Sequence, residues 1–94
     1  PRRVEISENF PNPFNPSTNL IVSVHKKSEG SLTIYDLIGK EVRRLFDGTF
    51  ERGNTKIVWN GLDNQGSEAS GGIYFCQVLV NGAHIKSQKM TLIK

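Results

Sequence analysis

One cysteine stands in the whole chain, Cys76, so no disulfide can form within it. It lies inside the apolar run 73–80, where a thiol serves as a small buried filler rather than a reactive group. No apolar run approaches the roughly 20 residues that a membrane-spanning helix needs, and no leader segment is present. The first residue is Pro1 rather than Met, so the chain reads as a piece of a larger protein. An export signal of that parent would lie upstream of Pro1. Strong charge of one sign is also missing. The net charge is +3, and the basic pairs Arg2-Arg3, Lys26-Lys27 and Arg43-Arg44 are separated by acids and apolar stretches. That pattern describes a solvated surface and not a nucleic-acid-binding stripe.

The residue types that carry chemistry are equally sparse. His25 and His84 are the two histidines, and neither has a second His or Cys at ligand spacing. Ser17, Ser70 and Ser87 lie in no nucleophile-elbow context. Nothing singles out a catalytic pair among the nine acidic residues. Asn60, Asp63, Asn64 and Glu68 make an oxygen-rich loop, but they lack the alternating ligands of a calcium loop. A turn held by Asn and Asp side chains on nearby backbone is the better reading. The sequence therefore points to no enzyme, no metal and no cofactor.

What is present is alternation. Short blocks of period 2 are separated by turn residues, the pattern of half-buried antiparallel strands. Residues 4–7 form a first edge strand. Leu20, Val22 and Val24 face inward on the next, and 26–30 is the turn after it. Leu32 and Ile34 point in, with Thr33 and Tyr35 out. A hairpin closes over Asp36-Leu37-Ile38-Gly39-Lys40, with Gly39 supplying positive φ. The returning strand, 41–46, turns Val42 in and Arg43 out and is charged, as suits an exposed edge. Residues 47–54 read as a polar loop. Ile57 and Trp59 then face inward from 55–59, with Trp59 a core residue. The loop 60–72 carries four glycines. Residues 73–80 read as a central strand covered on both faces. Asn81-Gly82 is a two-residue hairpin signal, followed by a last strand over 83–93 with Met90 and Leu92 in the core. No amphipathic helix can be placed. About seven strands at spacings near ten residues indicate an immunoglobulin- or fibronectin-III-like β-sandwich. It spans 1–94 as one domain, with 1–8 as linker or edge strand.

One segment fits neither strand nor ordinary loop. Asn9-Phe10-Pro11-Asn12-Pro13-Phe14-Asn15-Pro16-Ser17-Thr18 places three prolines at near-regular spacing. Proline lacks the ladder donor and favours extended neighbours, so this is a rigid arm whose Phe10 and Phe14 reach onto a sheet edge.

Five blocks in order carry a family resemblance: the arm, Ile34-Tyr35-Asp36-Leu37-Ile38-Gly39-Lys40-Glu41-Val42, Trp59-Asn60-Gly61-Leu62-Asp63-Asn64-Gln65-Gly66, Ser70-Gly71-Gly72-Ile73-Tyr74-Phe75, and Lys89-Met90-Thr91-Leu92-Ile93-Lys94. From about Glu8 to the end, the chain resembles the type A C-terminal sorting domain of type IX secretion substrates. It is also similar to the immunoglobulin-like domain of flagellar hook-assembly scaffolds. The resemblance implies a non-catalytic module that directs a larger protein, through the periplasm, across the outer membrane to the cell surface or the medium. The implied partners are the outer-membrane translocon, a surface sorting peptidase and an upstream cargo domain in the same chain, with no nucleic acid and no membrane insertion.

Residue by residue, the resemblance assigns recognition to Lys89, Met90, Thr91, Leu92, Ile93 and Lys94, and a structural role to Trp59, Gly61, Asp63, Gly66, Gly72 and Tyr74. An exposed final strand would also offer its backbone edge for β-augmentation. Two departures stand out: Asn60 replaces a frequent Asp, and Cys76 an aromatic. The rival readings are an accessory sandwich of a secreted hydrolase, either a spacer or a carbohydrate-binding module stacking sugars on Tyr35, Phe46, Phe50 and Phe75, and a hook-assembly scaffold.

Overall fold

The computed structural model describes residues 4–7 and 10–93, with residues 85 and 86 described by their backbone alone. Alternation becomes strand throughout: β1 (Val4–Ile6), β2 (Thr18–Val24), β3 (Ser28–Tyr35), β4 (Glu41–Phe50), β5 (Gly53–Trp59), β6 (Gly72–Val80) and β7 (Ala83–Leu92). A three-stranded sheet runs β1-β2-β5 and a four-stranded sheet β4-β3-β6-β7, with every strand pair antiparallel. Between the sheets lie Leu20, Val22, Leu32, Ile34, Trp59, Cys76, Val78 and Met90, all fully buried. Each such aliphatic side chain contributes about 1.5–3 kcal/mol of burial, which is what holds the two layers face to face. The fold is the expected all-β sandwich.

Turn chemistry fixes the register. Asn81 and Gly82 both adopt positive φ, as a tight two-residue hairpin requires. At the β3–β4 hairpin, Asp36 Oδ1 accepts the N–H groups of Ile38 and Lys40, and Gly39 N–H donates to the Asp36 carbonyl.

Several expectations need correction. The polar loop 47–54 is mostly strand: β4 runs on to Phe50, and residues 47–50 pair with Ser28–Ser31 of β3. The hydrophilic composition concealed a ladder in which Thr49 donates to the Glu29 carboxylate and the Phe50 ring is buried and stacked on Phe46. The turn 26–30 shortens for the same reason. Gly30 sits within β3, where an added Cβ would come within 2.4 Å of the Leu79 carbonyl oxygen and 2.6 Å of the Phe50 ring. β6 is covered on one face, not two. Tyr74, Cys76, Val78 and Val80 are buried, whereas Phe75, Gln77 and Leu79 are half-buried and Ile73 is exposed. Two layers give each sheet one inner face, and among the described residues no further layer lies over the outer face of β6. Thr33 points outward yet is 3% exposed, because on this inner strand its neighbours on β4 and β6 close over it.

The register also sets the two ends of the molecule, whose long dimension is 40 Å. Val4 pairs with Val24, beside the β2–β3 turn, so the chain enters there. Tyr35 pairs with Phe75, and Phe75 with Lys89. The 36–40 hairpin, the loop 60–71, the arm and the end of β7 therefore gather at the opposite end.

Candidate functional site

The terminal segment forms the end of β7, an edge of the four-stranded sheet. Alternation divides it. Met90 and Leu92 are buried in the core, while Lys89 is exposed, Thr91 half-buried and Ile93 48% exposed. Lys94 lies outside the described residues.

Its backbone edge is occupied. The arm crosses from one sheet to the other: Phe10 exchanges both backbone hydrogen bonds with Asn19 of β2, and Phe14 then pairs in parallel with Leu92 of β7. Phe14 N–H donates to the Thr91 carbonyl at 3.0 Å, and Ile93 N–H donates to the Phe14 carbonyl at 2.8 Å. Thr91 N–H donates to Asn12 Oδ1 at 3.0 Å. Thr18 Oγ1 holds the far side by donating to the Pro11 carbonyl. The Phe14 ring is buried 5.5 Å from the Trp59 ring, so the arm is fastened as well as paired. Phe10 behaves differently from Phe14, against expectation: its backbone pairs, but its ring is 75% exposed.

This overturns the idea that residues 91–93 offer a free edge for β-augmentation. Lifting the arm would break three hydrogen bonds worth about 0.5–1.5 kcal/mol each. It would also uncover a buried phenylalanine, a loss of about 3–5 kcal/mol. The arm seals this edge at residues 91–93.

Beneath the terminal strand lies a seat of aromatic rings. Trp59 stands between Phe14 and Tyr74, with the Tyr74 ring edge-on at 5.2 Å. Trp59 Nε1–H donates to the Leu62 carbonyl, and the Tyr74 hydroxyl donates to the Ser70 carbonyl. Tyr74 is also the cross-strand partner of Met90. Asp63 shapes the loop that these bonds hold, its Oδ1 accepting the N–H groups of Gln65 and Ser67. Gly61 and Gly66 take positive φ, and a Cβ on Gly61 would come 3.1 Å from the Pro16 carbonyl oxygen. Gly72 opens β6 opposite Leu92. The structure thus places Trp59, Gly61, Gly72 and Tyr74 beside the terminal segment, whereas Asp63 and Gly66 lie in the part of the loop that turns toward β4 at the opposite edge.

The same loop closes the other edge of this sheet. Asn64 N–H donates to the Val42 carbonyl, and Asn64 Oδ1 accepts Arg44 N–H, both at 2.9 Å. Arg43 reaches the Asp63 carbonyl, and Asn64 Nδ2 donates to Glu41. Both edges of the four-stranded sheet are capped at one end.

The acids here have structural partners. A groove of about 400 Å³ between the 36–40 hairpin and the loop contains Asp36, Glu41 and Asp63. Asp36 and Asp63 cap backbone N–H groups, while Glu41 pairs with Arg44 at 3.4 Å and raises the guanidinium pKa, mainly through that hydrogen bond. Asn60 Oδ1 accepts Leu62 N–H. Among the described residues, no three His, Cys, Asp or Glu side chains converge as metal ligands. His84 Nε2 and Ser87 Oγ lie 3.0 Å apart, a pairing that the spacing in sequence does not single out, and both are exposed on β7. Burial pushes the Cys76 thiol up to about 12. Of the aromatics considered for sugar stacking, Phe50 is fully buried and Tyr35, Phe46 and Phe75 are half-buried.

The profile of the FlgD Ig-like domain family matches residues 16–83, most of the chain. The chain belongs to this family. Similar solved structures include dimeric latent PorU from Porphyromonas gingivalis, with a TM-score of 0.80 and 21% identity, covering 99% of this chain and 9% of that one. PorZ from the same organism, described as an essential surface component of its type IX secretion system, has a TM-score of 0.55 and 20% identity over 97% of this chain and 11% of its own. The alkylpurine DNA glycosylase AlkC of Pseudomonas fluorescens, bound to abasic-site DNA, has a TM-score of 0.65 and 16% identity over 97% of this chain and 30% of its own. At these identities the likeness is one of fold. The chain spans about a tenth of the length of PorU and PorZ. No curated protein matches it.

Proposed function

We propose that this chain is a non-catalytic sorting module that carries a larger secreted protein from the periplasm across the outer membrane to the cell surface, with recognition at Lys89 to Lys94. The observation that carries the reading is the divided terminal strand. A sorting signal must stay folded and unaggregated while waiting for its receptor, yet remain readable. The arm and the loop serve the first need at this end of the sheet, where they cap both edges, since open strand edges template aggregation. The outward series Lys89, Thr91 and Ile93 meets the second, and Val4 lies at the far end from it, which leaves the signal clear of any upstream cargo. Similar folds within PorU and PorZ support the same direction. The five ordered blocks support a partner in an outer-membrane translocon, with removal by a surface peptidase as a later step.

The test is to fuse the full chain downstream of a periplasmic reporter in a bacterium that has type IX machinery. Delivery of the reporter to the surface or medium is expected. Retention in the periplasm equal to that of the reporter alone would overturn the proposal.

A further inference from the structure

With Met90 and Leu92 buried and the backbone of 91–93 paired to the arm, the described residues of the terminal segment present their side chains for reading on the outer face. That face does not end at β7. Thr91 pairs with Ile73, Lys89 with Phe75, and Phe75 with Tyr35. Residues directly opposite on antiparallel strands have their Cβ atoms about 4.5–5.5 Å apart, so these side chains form two adjoining rows. Ile73 is 38% exposed and Ile93, which continues the outward series past Thr91, is 48% exposed. The next row toward the middle of the sheet is Thr33, Gln77 and Ser87, which is polar. Farther along, Leu79 is half-buried between Ser31 and His84, so among the described side chains of β3, β6 and β7 the adjoining outward apolar rows lie at the end that carries the terminal segment. Scattered apolar residues are normal on a surface; adjoining ones mark interaction sites.

We propose that the terminal strand is read together with its neighbours, as a ledge formed by Tyr35, Ile73, Phe75, Lys89, Thr91 and Ile93, and that its partner is an apolar protein surface bearing a carboxylate opposite Lys89. This rests on the sorting reading and extends its recognition site to β3 and β6. The carboxylate follows from charge. Arg44, across from Thr33, is already paired with Glu41 and Asp47, each at 3.4 Å. Among the described residues, Lys89 has no salt-bridge partner. Lys89 is the one cation among the six ledge residues, too few for a lipid surface, where each basic residue adds about 1 kcal/mol and clusters of about four to eight are needed. A sugar would need exposed ring faces, whereas here the rings are half-buried and the exposed area comes from Ile73 and Ile93.

The experiment uses the delivered reporter fusion. Ile73→Thr and Phe75→Thr place β-branched side chains, which suit a strand, while removing the apolar surface, and thermal melts verify that the variants remain folded. The double variant is expected to reduce surface delivery at least tenfold. Ile21→Thr and Val58→Thr, on the outer face of the other sheet, are expected to leave it unchanged. Lys89→Glu should lose delivery and Lys89→Arg keep it, a charge readout independent of packing. Normal delivery by the Ile73 and Phe75 variants would overturn the ledge and leave the sorting reading standing. Equal losses from both faces would reduce the effect to general surface chemistry and overturn it too. Retention on insoluble polysaccharide that disappears in Phe75→Thr, with delivery unaffected, would replace the protein partner with a glycan. If the unaltered fusion stays in the periplasm, both readings fall together.

Discussion

Trp59 fills the space between Phe14 and Tyr74 and satisfies its one polar atom on the Leu62 carbonyl. Its removal leaves a cavity at the junction of both sheets, the arm and the loop. Trp59→Ala is expected to cost about 3–5 kcal/mol in a denaturant melt, and a loss below about 1 kcal/mol would contradict this packing. Cys76 makes a second residue-level prediction, one of pH. An unfolded thiol ionises near pH 9.0, whereas burial holds the folded one up to about 12. A folded pKa above the unfolded one means the contribution is complete below pH 9 and is lost as pH rises toward 12. Three pH units at about 1.4 kcal/mol each set the upper size of that loss, roughly 4 kcal/mol. Stability measured from pH 8 to 11 should fall more steeply for the native chain than for Cys76→Ala, and parallel slopes would refute it. In the folded protein the thiol should resist a disulfide reagent at neutral pH until denaturant is added.

At the scale of elements, the arm is the piece whose role is most testable. Asn12 Oδ1 is the acceptor for Thr91 N–H, so Asn12→Ala should cost about 1 kcal/mol and speed hydrogen exchange at Thr91 without unfolding the sandwich. Phe14→Ala should cost several times more, because it also removes a buried ring, and should deprotect the amides of both Phe14 and Ile93. Fast exchange at Ile93 in the unaltered chain would contradict the seal.

The arm also shows what the sequence could convey. Three prolines flanked by Asn and Phe announce a rigid, non-pairing segment, but the strand it closes is 79 residues away, and no local pattern names that partner. Strands with clean alternation, such as Leu20-Ile21-Val22-Ser23-Val24, were legible because every inward position is apolar. β4 was not, because Asp47, Gly48 and Thr49 look like loop, and only the Glu29 and Phe50 contacts make them strand. β6 misled in the opposite way: Ile73, Phe75 and Leu79 make a continuous apolar run that implies two covered faces, whereas the outward three are surface residues. The family blocks named the terminal segment and a set of structural residues. They did not reveal that Ile73, Phe75 and Tyr35 share a face with it, since register is a property of pairing and not of composition.

For the molecule as a whole, folding and signalling share one strand. Met90 and Leu92 are core residues, and the backbone of 91–93 holds the arm that buries Phe14 against Trp59. Cutting the chain after Gln88 therefore removes two core side chains and the arm's partner together. Stability is expected to drop by more than about 5 kcal/mol, the combined scale of two large-to-small core losses, within reach of the whole stability of a domain of this size. A circular-dichroism melt of the truncated chain should show a lowered midpoint or no cooperative transition, and a midpoint equal to that of the full chain would disprove the integration of β7. A truncation that blocks export would consequently report loss of the fold as much as loss of a signal. Exchanging Lys89, Thr91 and Ile93 while keeping Met90 and Leu92 separates the two, because the outward series can change without disturbing the core or the seal.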